Sequence, residues 1–228
     1  MKSTLMLIVA AGTLFLVGCG HVREVIGTVG HSGPTTIGSS KMATETRMVS
    51  GFQSVSIPSS GRVTIEQSGK ESLIITAEDN ILPLLTVEVK DGQLTLGMKP
   101  NSNISSTKEI VYKLTVKEIN GIDISGSAEV VANGLKSDKL KIDISGSGDL
   151  TLSGTAAVQD IRISGSGHVR AEDLKGASAR VDISGSGKAI LSVSDKLFAD
   201  ISGSGSVEYS GSPVVTKNVS GSGSLEKR

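Results

Sequence analysis

A five-residue pattern, Ile-Ser-Gly-Ser-Gly, constrains this chain more than any other feature of it. It recurs with small changes at residues 124–128, 144–148, 163–167, 183–187, 201–205 and 219–223. The leading positions are Ile124, Ile144, Ile163, Ile183, Ile201 and Val219, separated by steps of 20, 19, 20, 18 and 18. So steady a period marks a repeat architecture. Two residues before each leading position stand Ile122, Ile142, Ile161, Val181, Ala199 and Lys217. Six residues after it stand Val130, Leu150, Val169, Ala189, Val207 and Leu225. Polar residues alternate with these columns, as in strands with one buried face. The paired glycines supply turn positions where positive φ carries no steric cost. Ala128 replaces the second glycine in the first unit.

A unit of this length, with short strands and sharp turns, cannot bury its apolar face alone. Stacking successive units does bury it. Parallel strands then stack at ~4.8 Å and each column becomes a ladder of like residues. The expected fold is all-β: a right-handed parallel β-helix of 18–20 residues per coil, with two or three short strands in each and regular repeats over 122–228. The fixed Leu/Asn pattern of leucine-rich repeats is missing, as is the calcium-binding Gly-Gly-x-Gly-x-Asp nonapeptide. Thr-x-Thr ladders of the ice-binding kind do not recur either. Residues 47–120 read as irregular first coils and a cap. Asp91-Gly92 signals a β-hairpin that sets Val89 opposite Leu94 and Val87 opposite Leu96. Residues 79–85 read as a short helical turn near Pro83. The charged end, Glu226, Lys227 and Arg228, would oppose end-to-end strand pairing.

The N-terminus reads as an address. Lys2 precedes an apolar run over residues 5–17, too short to span a bilayer as a helix. Leu16-Val17-Gly18-Cys19 resembles a bacterial lipobox, and Cys19 is the one cysteine of the chain. The expected organisation is a lipoprotein signal peptide over 1–18, a lipidated flexible tether over 19–46 and a β-helix domain over 47–228. Gly20 is not the aspartate of the inner-membrane retention signal, which favours the outer membrane if the envelope has two. A coil of such length would hold the domain on the order of 30 Å from the lipid. His21 and His31 lie in it and read as solvated.

The repeats, the opening Gly51-Phe52-Gln53-Ser54-Val55-Ser56-Ile57, the hairpin from Val87 to Leu96 and Asn120-Gly121-Ile122 together resemble the bacterial GIN-domain family. Its members are described as auto-transporter adhesin head domains. The resemblance covers roughly residues 49–228. It implies a right-handed parallel β-helix and an adhesin-like role, and it supplies no catalytic motif.

Chemistry is sparse. Basic and acidic residues number 23 each, so the excess of positive charge that nucleic acid requires is absent. Aromatic residues are 2% of the chain, too few for a base-stacking platform. No Gly-x-Ser-x-Gly occurs, and His168 is the one histidine of the repeat region. No cofactor or metal ligand set is expected. One column invites a site: Asp123, Asp143, Arg162, Asp182 and Asp200, which alternation turns outward. Stacked aspartates repel one another, and Arg162 falls where it can neutralise Asp143 and Asp182. Such a row is either a charge-balanced solvated face or the substrate-binding row of a lyase-like polysaccharide enzyme. The favoured expectation is a non-enzymatic envelope lipoprotein. Its partners would be membrane lipid through Cys19 and an envelope glycan or protein.

Overall fold

The computed structural model describes residues 34–228. The signal peptide, Cys19, His21 and His31 lie outside these residues. The chain is all-β and forms a β-solenoid of about five turns. It enters through β1 (Thr35–Ile37) and β2 (Met42–Arg47). There follow β3 (Ser54–Ile57), β4 (Arg62–Gln67), β5 (Ser72–Glu78), β6 (Leu85–Lys90), β7 (Gln93–Met98), β8 (Asn103–Ser105) and β9 (Val111–Val116). The regular stack opens with β10 (Gly121–Ile124) and runs through β11 (Glu129–Ile144), β12 (Asp149–Gly165), β13 (His168–Gly185) and β14 (Lys188–Gly203). It closes with β15 (Ser206–Ser210), β16 (Val214–Gly221) and β17 (Ser224–Lys227).

The short strands expected in each unit are fused. The coils from β11 to β14 are single bent strands of 16, 17, 18 and 16 residues. The hydrogen bonds run between coils, so the ladder continues around corners that would end a flat strand. All pairs from β10 to β17 are parallel. Ile124, Ile144, Ile163, Ile183 and Ile201 form one buried inner column.

The motif's last glycine has a packing reason. A Cβ at Gly167, Gly187 or Gly205 would sit 2.5 Å from the Cγ2 methyl of Ile144, Ile163 or Ile183 one coil earlier. The isoleucine of each coil therefore packs into the space left by the glycine of the next. In the first unit that glycine is Ala128, which is buried and follows the non-repeating corner at residues 58–61. At Gly185 and Gly203 the backbone also needs φ of 133° and 119°, a region that glycine enters freely.

Mixed pairing replaces the parallel stack at the N-terminal end. β3 lies against β10 and β7, and the β6–β7 hairpin pairs Val87 with Leu96 and Val89 with Leu94. The register is the expected one, but Val89 is exposed because β6 is the edge of the sheet. β4 continues the second face to β9, whose other edge takes β5 antiparallel. The helical turn near Pro83 is a single 3-10 turn, Leu82–Leu84.

Residues 34–46 were expected within the flexible tether, and the structure corrects this. β2 pairs antiparallel with β5 over its full length, from Met42 opposite Glu78 to Arg47 opposite Leu73. Ser40, which reads as tether, is here bonded through its N–H to a buried acid. Glu78 has no solvent exposure. Its carboxylate accepts hydrogen bonds from Thr107 Oγ1 (2.6 Å), Ser106 Oγ (2.7 Å), Ser40 N–H (2.7 Å) and Thr107 N–H (3.0 Å). The hydroxyl bonds from Thr107 and Ser106 hold its pKa down at about 2, against an ordinary 4.5. The described β-structure thus begins at Thr35, a dozen residues before the expected domain boundary at residue 47.

Two outcomes follow. Gly187→Ala should lower stability by about 1–3 kcal/mol, because its methyl group overpacks Ile163. Ser186→Ala at the same corner should change it by less than about 0.5 kcal/mol, as surface substitutions do; urea denaturation of both variants checks this. Glu78 has a depressed pKa, so its stabilisation is complete above pH 4.5 and is lost as pH falls through 4.5 towards 2. The urea midpoint of wild type should therefore fall across that window more steeply than that of Glu78→Gln. Parallel pH profiles would refute the role given to Glu78.

Candidate functional site

The coil presents three outer surfaces. The first precedes the Ser-Gly-Ser-Gly corner and carries the expected charge row. Ladder register stacks Ser56, Asp123, Asp143, Arg162, Asp182, Asp200 and Asn218 in order, one per coil. All five sequence-chosen residues are therefore brought into one line. A parallel row lies two residues earlier along each coil: Lys141, Asp160, Arg180 and Phe198. Sequence reading did not include this second row, although the same alternation turns it outward.

Ion pairs join the two rows. Arg162 lies 3.7 Å from Asp143, 3.8 Å from Asp182 and 3.5 Å from Asp160. Lys141 Nζ lies 2.6 Å from Asp143. Arg180 grips Asp182 with two hydrogen bonds, from Nε at 2.9 Å and Nη2 at 3.0 Å, and its guanidinium lies 4.4 Å from the centroid of the Phe198 ring. Asp123, at the upper end, receives a hydrogen bond from Ser56 Oγ at 3.4 Å. Burial, and after it the neighbouring Asp143, push the Asp123 pKa up. Among the described residues no three His, Cys, Asp or Glu side chains are grouped as metal ligands.

The second surface, beyond the corner, is also paired across coils. Arg62 lies 3.2 Å from Glu109 and 2.8 Å from Glu129, and Lys188 lies 2.5 Å from Glu208. The third surface differs. It holds a groove of about 1120 Å³ that reaches from Gln67 and Lys117 through successive coils to Gly211. Lys136, Lys139 and Lys175 line it, above a floor that includes Ala157, Gly176 and Ala177. Register slips only beside this surface. Ala132/Leu135, Thr151/Ser153, Ala171/Lys175 and Gly176/Ser178 mark the irregularities of three successive coil pairs. The uneven steps of 18–20 residues are absorbed there, while the other two surfaces keep register. Sequence reading passed over these lysines because they follow no fixed column. The signal that marks them is the place where the period varies.

A repeating stack of short coils, with paired charges on two surfaces and an open groove on the third, defines a β-solenoid module of the adhesin-like kind. The chain belongs to the family described as "Putative auto-transporter adhesin, head GIN domain", whose model matches residues 51–213. Several crystal structures are similar. A "putative adhesin" from Bacteroides fragilis is 27% identical with a TM-score of 0.71, covering 85% of this chain and all of that one. A "putative adhesin" from Parabacteroides distasonis is 23% identical with a TM-score of 0.57, covering 86% of this chain and all of the other. A "putative lipid binding protein" from the same organism is 22% identical with a TM-score of 0.59, again over 86% of this chain and all of that one. The latter two bear on fold alone. No curated protein is similar enough to the chain to count as a match.

Arg162 joins three carboxylates at an exposed site, so Arg162→Ala should cost up to about 1 kcal/mol and more at low salt than at high salt. Arg162→Glu should be worse, since it completes a continuous acidic ladder. Thermal midpoints across a salt series check both; an equal effect at all salt concentrations would contradict the network.

Proposed function

We propose that this chain is a cell-envelope lipoprotein that presents its β-solenoid as an adhesin-like binding module, anchored by lipid on Cys19. The family match over residues 51–213 carries the binding role. The anchor rests on the apolar run and the lipobox-like Leu16-Val17-Gly18-Cys19. β1 begins at Thr35 and β2 at Met42, so β-structure takes up part of the stretch 19–46 that reads as tether. The Asp123, Asp143, Arg162, Asp182 and Asp200 row serves in this reading as a charge-balanced outer face. Its paired geometry supports that over lyase-like chemistry. An arginine acting on a substrate would first have to leave Asp143, Asp160 and Asp182, and Asp160, which has no other ion pair among the described residues, would lose its partner.

Two measurements test the reading. Cells fed a clickable palmitate analogue should label the wild-type chain and leave Cys19→Ala unlabelled; equal labelling would remove the anchor. A screen of surface glycans and envelope proteins should give a saturable ligand and no turnover. Release of unsaturated sugar by wild type, abolished in a fully stable Arg162→Ala, would replace the binding module with an enzyme.

A further inference from the structure

We propose that the axial groove on the third surface holds an extended anionic glycan, with Lys136, Lys139 and Lys175 as its cationic posts. This deepens the adhesin-like reading and rests on it. The direction of the groove is the first argument. Ladder register places Lys136 beside Thr155, Thr155 beside Lys175, and Lys175 beside Ser192. The groove thus runs along the solenoid axis, across the coils. Coils rise by ~4.8 Å, so the backbones of Lys136 and Lys175 lie about 10 Å apart. That span is comparable to one disaccharide of an extended β-linked chain, so one such unit laid along the axis meets a lysine at each end.

Charge is the second argument. Lys117 at the head of the groove is held by Glu71 at 2.9 Å. Lys136, Lys139 and Lys175 form no ion pair among the described residues, and all three are exposed. Glu118 and Asp138 are the acids of the lining, against four lysines. On the other two surfaces Arg62, Lys141, Arg162, Arg180 and Lys188 are each matched by a carboxylate from their own or an adjacent strand. In the groove Lys136, Lys139 and Lys175 thus face solvent without an ion pair among the described residues, with Glu118 and Asp138 as the nearby acids of the lining. Carboxylate or sulfate groups on a ligand would form charge-assisted contacts there.

The floor is the third argument. Ala157, Gly176 and Ala177 keep it low. Gly176 has a cause beneath it: a Cβ there would meet the Gln159 amide nitrogen at 2.5 Å. Gln159 is fully buried and donates from Nε2 to the Leu174 carbonyl at 3.1 Å. The floor is thus propped from inside at the rung of Lys175. No aromatic side chain lines the groove, which removes the stacking platform that neutral sugars and nucleic-acid bases use. A bilayer is flat and would not enter a recess, whereas a polymer one chain wide would. Repeat proteins also place their length variation on the binding face, and here the register slips sit beside the groove.

The test is titration calorimetry of the purified full-length chain with a β-linked mannuronate oligosaccharide. The neutral mannan oligosaccharide of equal length is the control. Wild type should bind the mannuronate, more weakly as salt rises, and should not bind the mannan. Lys136→Glu/Lys175→Glu should weaken binding by at least about tenfold. Lys113→Glu, an exposed lysine on another surface, should leave it unchanged. Lys136→Gln/Lys175→Gln should fall between wild type and the double reversal, which guards against a folding defect in the latter. Undiminished binding in both double variants, equal binding of mannan, or lysine-dependent binding to phosphatidylglycerol vesicles in place of mannuronate would overturn the proposal. A wild type that finds a ligand in the surface screen but binds no anionic glycan overturns the groove's occupant and leaves the adhesin-like reading standing. One that binds nothing in either overturns both.

Discussion

The contact between an isoleucine Cγ2 methyl and the glycine of the following coil is what the rest of this structure depends on. It recurs at Ile144 with Gly167, Ile163 with Gly187, Ile183 with Gly205 and Ile201 with Gly223, each time with no room for a Cβ. The contact is local to two coils, yet each coil takes part in two such contacts. Stability therefore accumulates by nearest neighbours along one axis. Long-range order then comes from the same corner repeated in phase along one continuous buried core. The interlock also fixes orientation. With Ile and Gly pinned at one corner, alternation sends Ile122, Ile142 and Ile161 inward and Asp123, Asp143 and Arg162 outward.

How much of this is legible in the sequence depends on whether a residue's environment repeats. The inner columns, the coil length, the stacked charge row and the Asp91-Gly92 hairpin all follow from spacing, and the ladder pairs bear them out. Lys141, Asp160 and Arg180 were within reach of the same reasoning, one alternation earlier, but their mixed charges make no column by type. β1 and β2 were not legible. Their residues carry no repeat, and what holds them is pairing with β8 and β5, with Ser40 between them bonded to the buried Glu78, all of it tertiary contact. The fusion of short strands into long bent ones was hidden for a related reason: hydrogen bonding between coils ignores the corners that local turn chemistry marks.

The three surfaces divide labour in a way that the repeat explains. Where register is strict, the charges at the middle rungs fall beside opposite charges and are paired, as Asp143, Asp160 and Asp182 are by Lys141, Arg162 and Arg180. Where register slips, residues escape the columns and lysines can collect without partners. The same slack that lets coils vary from 18 to 20 residues makes the third surface free to differ from a neutral wall. The far end of the stack shows a different constraint. Lys217 takes the inner column next to Ala199, and Arg228 folds back to Glu208 at 3.4 Å. A charge in the inner column and a tied terminus oppose the addition of another chain's coil to the open edge.

Deleting one whole period tests the central claim most directly. Removing residues 164–183 joins Ile163 to Ser184 and takes out one coil of 20 residues while keeping the corner motif and both neighbouring interlocks in phase. The account predicts a folded, all-β chain that unfolds cooperatively, with a smaller dependence of stability on urea because less surface is exposed on unfolding. Removing residues 164–173 instead shifts every later column by half a coil and should abolish folding of the C-terminal stack. If the full-period deletion unfolds as completely as the half-period one, the stack is not held by a repeated local interlock, and the account is wrong.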